Sequence, residues 1–230
     1  DYNCAIFAFA QERHIPVAVH SYPNAEDDLS AAKRIVKTAE RYPDLKLIVS
    51  HMGGGITVSA HRQGRVIDTS NALNGAGPFS RERAGTLPPG PLIDLCFSGE
   101  YTREELQKLI NGRGGLLAHL GTTSVPEILR RIDNNDLQAM LVLRAMCYNV
   151  AKEIGAMAIA LKGKADAILL TGGIAHNKRL TDFIAAHVDF IAPVFVYPGE
   201  NELEALARNA LAVLRGDCEA KTYYKADVTA

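Results

Sequence analysis

His51, followed after one methionine by Gly53, Gly54 and Gly55, is the group in this chain whose types and spacing best suit chemistry. Glycine has no Cβ and tolerates positive φ, so backbone N–H groups in such a turn can close on an anion. A histidine at the mouth of the turn adds a donor or proton-transfer group beside whatever is bound. Together they suggest a hairpin that handles phosphate. The pattern is not a P-loop, which needs a Lys-Ser/Thr pair opening a helix, nor the G-x-G-x-x-G of a βαβ unit. Further glycine turns stand at Gly114-Gly115 and at Gly172-Gly173, and all three are read as following strands. The strand-turn-strand at Gly53 suits β- and γ-phosphates. The strand-turn-helix at Gly172 suits the sugar and base of a nucleotide against a helix start. Any one of them is commonly just a tight connection, but three in one chain favour a bound nucleotide.

Arg83 lies with Arg81 and Glu82 in the stretch Asn71 to Leu92, which is dense in glycine and proline and reads as one long loop. Long loops inside compact domains are usually functional. A mobile loop that delivers a guanidinium is one way to stabilise the charge of a phosphoryl group in transfer. A solvated loop arginine is the plainer alternative. Glu200, Glu202 and Glu204 precede or open the last helix, where the helix dipole alone favours negative charge. One of them could hold Mg²⁺ through water, since that ion takes few protein carboxylates. Asp68 is a second candidate for such a contact, or a turn cap.

The elements that must position these groups follow from periodicity. LKLIVS (45–50) is a strand, and ITVSAHRQGRVIDTS (56–70) alternates about a Gln63-Gly64 turn as a hairpin. Ahead of them the pattern predicts a helix over 5–13, a strand over 15–20 and a helix within 27–42. After the long loop, Thr102 to Glu105 forms a capping box. Helices are then expected near 125–132, over 137–161, over 177–187 and over 202–214, with strands at 165–173 and 189–197. The helix over 137–161 is apolar on nearly all faces, which predicts central burial. Strands alternating with long helices indicate an α/β domain.

At 230 residues the chain is long enough to bury a real core, and 47% apolar with 22% charged residues is ordinary for a globular protein. A net charge of −1 argues against nucleic-acid and membrane-surface partners. No apolar run reaches the length of a membrane span. The four cysteines, Cys4, Cys96, Cys147 and Cys218, are scattered without a C-x-x-C pair, so reduced thiols and a cytoplasmic location are expected. The chain starts at Asp1 inside what reads as regular structure, and is expected to be the later part of something longer.

Taken together, HMGGGITVSAHRQGRVIDTSNALNGAGPFSRERAG, LCFSGEYTREEL, GRGGLLAHLGT, AKEIGAMAIALKGKADAILLTGGIAHNKR and FIAPVFVYPGENELEALA resemble the butyrate kinases. These are similar to acetate kinase and belong to the sugar kinase, Hsp70 and actin superfamily. The resemblance covers about three quarters of the chain, from Leu45 to Arg215. It implies an actin-like ATPase (ribonuclease H-like) domain with a mixed sheet flanked by helices over 45–215. Residues 1–44 would be a remnant of a first domain or an altered linker, and 216–230 a peripheral tail. It assigns His51 and Arg83 to catalysis, and Gly53, Gly54 and Gly55 to a phosphate turn. Gly172 and Gly173 become an adenosine turn with Asn177 nearby, and Glu202 falls near a Mg²⁺-associated glutamate. The implied reaction is reversible transfer of the γ-phosphoryl of ATP to a short-chain carboxylate, giving an acyl phosphate and ADP, in a homo-oligomer. Family members carry a second phosphate turn, a carboxylate-binding arginine and a catalytic aspartate that are not visible here. Asp27, Asp28 and Asp44 cannot be assigned to that aspartate. The chain alone is therefore expected to bind ATP or ADP weakly and to phosphorylate butyrate poorly or not at all. Two other readings stand beside this one. One is a nucleotide-binding module without catalysis. The other rests on a resemblance of IPVAVHSYPNAEDDL and AERYPDLKLIVSHMGG to metal-dependent amidohydrolases, in which His20 and His51 would be strand-end metal ligands.

Overall fold

A computed structural model describes residues 45–63, 65–70, 75–199, 211 and 213–216. The first strand, β1 (Lys46–Met52), is built from Leu, Ile and Val and buried along most of its length. The triple-glycine turn returns the chain into β2 (Ile56–Arg62), which pairs antiparallel with β1 so that His51 faces Thr57. Then β3 (Arg65–Thr69) adds an exposed edge with a register shift at Ala60/His61. β4 (Ala167–Gly172) and β5 (Val194–Pro198) extend the sheet on the other side of β1, both parallel, giving the order β3-β2-β1-β4-β5. The mixed sheet expected from the resemblance is present.

Six helices are described: α1 (Pro89–Phe97), α2 (Arg103–Ile110), α3 (Gly115–Leu120), α4 (Val125–Asp133), α5 (Leu137–Ala160) and α6 (Lys178–Val188). The capping box at α2 is real: the Glu105 amide donates to Thr102 Oγ1 at 3.3 Å, and the Thr102 amide donates to Glu105 Oε2 at 2.8 Å. Alternation splits the buried side chains of β1 and β4 between two faces. Ile48, Met52, Ile168 and Leu170 pack with Leu143, Met146, Val150 and Ile154 of α5 and Ile184 of α6. Leu47, Val49, Ala167 and Leu169 form a second cluster on the opposite face. His51 shares the parity of Leu47 and Val49, and so belongs to the face away from α5.

Four expectations are corrected. The long loop ends early, because Pro89 opens α1: its fixed φ suits the first helical position, although in a sequence it reads as a breaker. The Gly114-Gly115 turn follows α2 and opens α3, so it does not follow a strand. Residues 189–193 are turn, and the strand begins only at Val194. Finally, α5 is buried on one side only, since Leu137, Leu141, Tyr148 and Ile159 remain exposed along a single stripe. The elements expected over 5–13, 15–20 and 27–42 lie outside the described residues, as does most of the last helix. Cys96 and Cys147 are free thiols, and burial pushes the Cys147 thiol up to about 12, where it stays protonated.

Asp136 caps α5, its Oδ1 accepting from the Ala139 amide at 2.9 Å while Oδ2 accepts from Arg131 Nε at 2.8 Å. The amide bond first, and the arginine second, hold its carboxyl below the usual carboxylate range. A carboxyl lowered on folding adds stability above its unfolded pKa of about 3.9, and that stability is lost as pH falls through the lower folded value. Asp136→Ala should therefore lower the thermal midpoint at pH 7, with the gap to the parent narrowing as pH falls below the ordinary carboxylate range. A gap that is constant across a thermal scan series in pH would contradict this.

Candidate functional site

The carboxyl ends of the parallel strands meet on one side of the sheet, which is where open α/β sheets bind ligands. His51 near the end of β1 is in register with Thr171 of β4, and Gly172 is in register with Pro198 of β5. His51 is half-buried. The Gly53 amide donates to the Gly55 carbonyl at 3.0 Å and closes the turn between β1 and β2. A methyl group built on Gly55 would overlap Arg83 Nη1 and lie 2.8 Å from Arg83 Cζ. The absence of a side chain at Gly55 is thus what lets the Arg83 guanidinium lie against the turn.

Arg83 arrives there because its loop is clamped. The Ser80 amide donates to the Arg83 carbonyl at 3.0 Å, and Ser80 Oγ donates to the Gly54 carbonyl at 2.9 Å. The Arg83 amide in turn donates to Ser80 Oγ at 3.3 Å, so one fully buried hydroxyl ties the arginine backbone to the glycine turn. The Gly112 and Gly114 amides both donate to the Glu82 carbonyl, at 2.8 and 3.0 Å. A methyl on Gly114 would sit 2.5 Å from the Ala84 amide nitrogen, and one on Gly115 (φ +58°) would overlap the Ser80 carbonyl oxygen. Residues 112–115 therefore brace the arginine loop backbone to backbone. Ser80 and this bracing were not singled out from the sequence. The serine sits among other loop residues, 26 positions from the glycine it holds, and no local spacing signals the pairing.

The second glycine turn is joined to the first. Gly172 has φ +91°, and a methyl there would lie 2.6 Å from both the carbonyl carbon and oxygen of Met52. Its own carbonyl accepts from the Gly199 amide at 3.1 Å. Gly173 opens a short 3₁₀ turn ending at His176. Asn177 caps α6, its Oδ1 accepting from the Leu180 amide at 3.3 Å. Among the proposed residues, then, His51, Gly53–Gly55, Arg83, Gly172 and Gly173 gather at the ends of β1 and β4, with Asn177 one short turn away. Glu202 lies outside the described residues. Asp68 is not part of this group. It pairs with Ala60 on the α5 face of the sheet, its Oδ1 accepts from the Thr69 amide at 2.8 Å, and its charge acts on Glu153. Burial, and then the Asp68 charge, raise the Glu153 carboxyl above its ordinary value.

The arrangement sets backbone amides, a histidine and a guanidinium around one glycine turn, which suits an anion carrying several oxygens. Among the described residues no three His, Cys, Asp or Glu side chains gather to hold a metal. No described helix is long and apolar enough to cross a membrane.

The sheet order and flanking helices are those of the actin-like ATPase fold. Acetate kinase from Porphyromonas gingivalis matches with a TM-score of 0.66 over 79% of this chain and 53% of its own, at 22% identity. Residues 29–192 match the acetokinase family, and the chain belongs to that family. It is 52% identical over 201 residues to a probable butyrate kinase of Bacteroides thetaiotaomicron, covering 87% of this chain and 57% of that protein. Butyrate kinase 2 of Clostridium acetobutylicum is 51% identical, with 87% and 56% covered. The chain thus spans a little over half the length of these relatives. The family match runs through His51, which removes that residue from the amidohydrolase reading; His20 lies outside the described residues.

Proposed function

We propose that this chain is the nucleotide-binding part of a carboxylate kinase that transfers the γ-phosphoryl of ATP reversibly to butyrate or another short-chain carboxylate. In this reading residues 45–215 form the nucleotide-binding domain, 1–44 a remnant of a preceding domain or a linker, and 216–230 a tail. The observation that carries it is the Arg83 guanidinium lying against Gly55, on the turn that comes after His51. The Gly53 amide closes the turn, and the amides of Gly54 and Gly55 receive the β- and γ-phosphates. Arg83 and His51 place positive charge and a hydrogen-bond donor where the equatorial oxygens of the transferring group gain charge. In-line transfer asks little covalent chemistry of the protein, so positioning and charge stabilisation dominate. The turn at Gly172 and Gly173 receives the adenosine, with Asn177 holding the start of α6 beside it. Mg²⁺ bound with the nucleotide would neutralise phosphate charge. In this reading the ion arrives on the phosphates and keeps most of its waters, with Glu202 as its expected protein contact.

The test is acyl phosphate formation from ATP, Mg²⁺ and butyrate, trapped as the hydroxamate, alongside calorimetric titration with ADP. Binding of ADP together with hydroxamate formation supports the kinase reading. ADP binding with no hydroxamate at saturating butyrate, from this chain and also from one extended to the length of its relatives, favours the non-catalytic module. No binding and no product would overturn both.

A further inference from the structure

We propose that Arg81 is a second guanidinium of the phosphate site, closing on the β- and γ-phosphoryl oxygens from the Gly54 side while Arg83 does so from the Gly55 side. This rests on the nucleotide reading above and deepens it. The Arg81 backbone is fixed, since its carbonyl accepts from the Leu117 amide at 2.9 Å and the neighbouring Ser80 is bonded to Gly54. Its side chain reaches the turn: a methyl group on Gly54 would sit 3.5 Å from Arg81 Nη2. Arg81 Nε is buried and has no hydrogen-bond acceptor among the described residues. Nε–H and Nη2–H form the side-on edge of a guanidinium, the pair of donors that grips two oxygens of a phosphate or carboxylate. Here one end of that edge is buried and unmatched, and the other lies beside the glycine turn.

Other arginines of the structure show what a satisfied guanidinium looks like. Arg131 and Arg179 each meet a carboxylate at 2.8 Å. None of the ion pairs among the described residues includes Arg81. A buried charged donor without a partner is rare, because burial removes water and nothing replaces it. An anion on the glycine turn would supply the missing acceptor. Glycine amides can approach a phosphate closely, and a nucleotide brings two or three phosphates to the same place. A phosphoryl group is therefore the occupant the geometry favours over the carboxylate of the acyl substrate.

The test uses the full 230-residue chain and compares the parent with Arg81→Met and Arg81→Lys by calorimetry against ADP, AMP, inorganic pyrophosphate and butyrate. Loss of a bidentate contact should weaken ADP and pyrophosphate at least about tenfold in Arg81→Met and leave AMP within about twofold. Arg81→Lys should recover only part, since an ammonium cannot offer the two-donor edge. Unchanged ADP and pyrophosphate affinity in Arg81→Met would overturn the proposal. So would an equal loss for AMP, or a loss confined to butyrate, which would mark a structural role or a carboxylate contact. A parent chain that binds pyrophosphate through Arg81 but not ADP would keep the anion site and remove the kinase reading. Thermal midpoints of both variants within a few degrees of the parent exclude misfolding as the cause.

Discussion

In a chain extended to the length of its relatives, Gly55→Ala is expected to cost about 10²-fold in acyl phosphate formation while barely changing stability, an effect out of proportion to one methyl group. The added Cβ would occupy the space of the Arg83 guanidinium. The end of a flexible side chain can swing away from that collision, so the folded state should lose less than about 1 kcal/mol. The guanidinium can no longer lie on the turn, however, and the charge of the transferring phosphoryl loses its partner. Arg83→Ala removes the group outright and should cost on the order of 10³-fold in kcat, the lower end for an arginine acting on phosphoryl transfer. The double variant should be no worse than Arg83→Ala alone, since both changes delete the same interaction. Hydroxamate rates for the three variants, with unfolding midpoints measured in parallel, check the set. Full turnover in Gly55→Ala would mean that the arginine does not work from its place on the glycine turn.

Gly172→Ala should act in the opposite way, through the fold. With φ at +91°, an alanine is strained before any contact is considered. Its methyl would also lie within 2.6 Å of the Met52 carbonyl and 2.7 Å of the Met52 nitrogen, and these are backbone atoms of the adjacent strand. Neither side can yield without parting β1 from β4. The expected loss is about 3–5 kcal/mol, the size that marks a named steric fault and not an ordinary surface change. Gly121→Ala is the control. That residue caps α3 at φ +74° with nothing within 4 Å of the built methyl, so only the dihedral cost of about 1 kcal/mol should appear. Urea unfolding of the two variants decides the matter. Equal losses would show that the close backbone approach of Gly172 to Met52 is not a feature of the folded protein. The contact also bears on the proposed function, because it joins the Gly53–Gly55 turn, proposed to hold phosphate, to the Gly172–Gly173 turn, proposed to hold adenosine.

Much of the local structure around the candidate site was legible because its signals are local. A histidine and three glycines between two alternating apolar runs can scarcely be anything but a tight hairpin, and the structure forms it at Gly53–Gly55. The Thr102–Glu105 capping box needs only four consecutive residues, and it forms. Helix α1 was hidden by Pro89, which can equally break a helix or open one. Helix α3 was hidden by its brevity, since six residues carry too little periodicity to register. The exposed stripe on α5 shows the limit of composition: an apolar helix announces burial, but not which of its faces a neighbour covers.

From the sequence alone came the candidate residues that carry charge and backbone freedom, and the five strands and four of the six described helices that hold them, because these are written in residue type and short-range spacing. Tertiary structure alone decided that Arg83 and Arg81 lie on Gly55 and Gly54, that Ser80 ties their loop to the turn, and that Gly172 touches Met52. Those contacts depend on the parallel register of β1 with β4 and on backbone bonds between segments that are distant in the chain. No local pattern encodes such pairings; they exist only once the sheet has assembled and the Gly112–Gly115 segment has closed on the arginine loop.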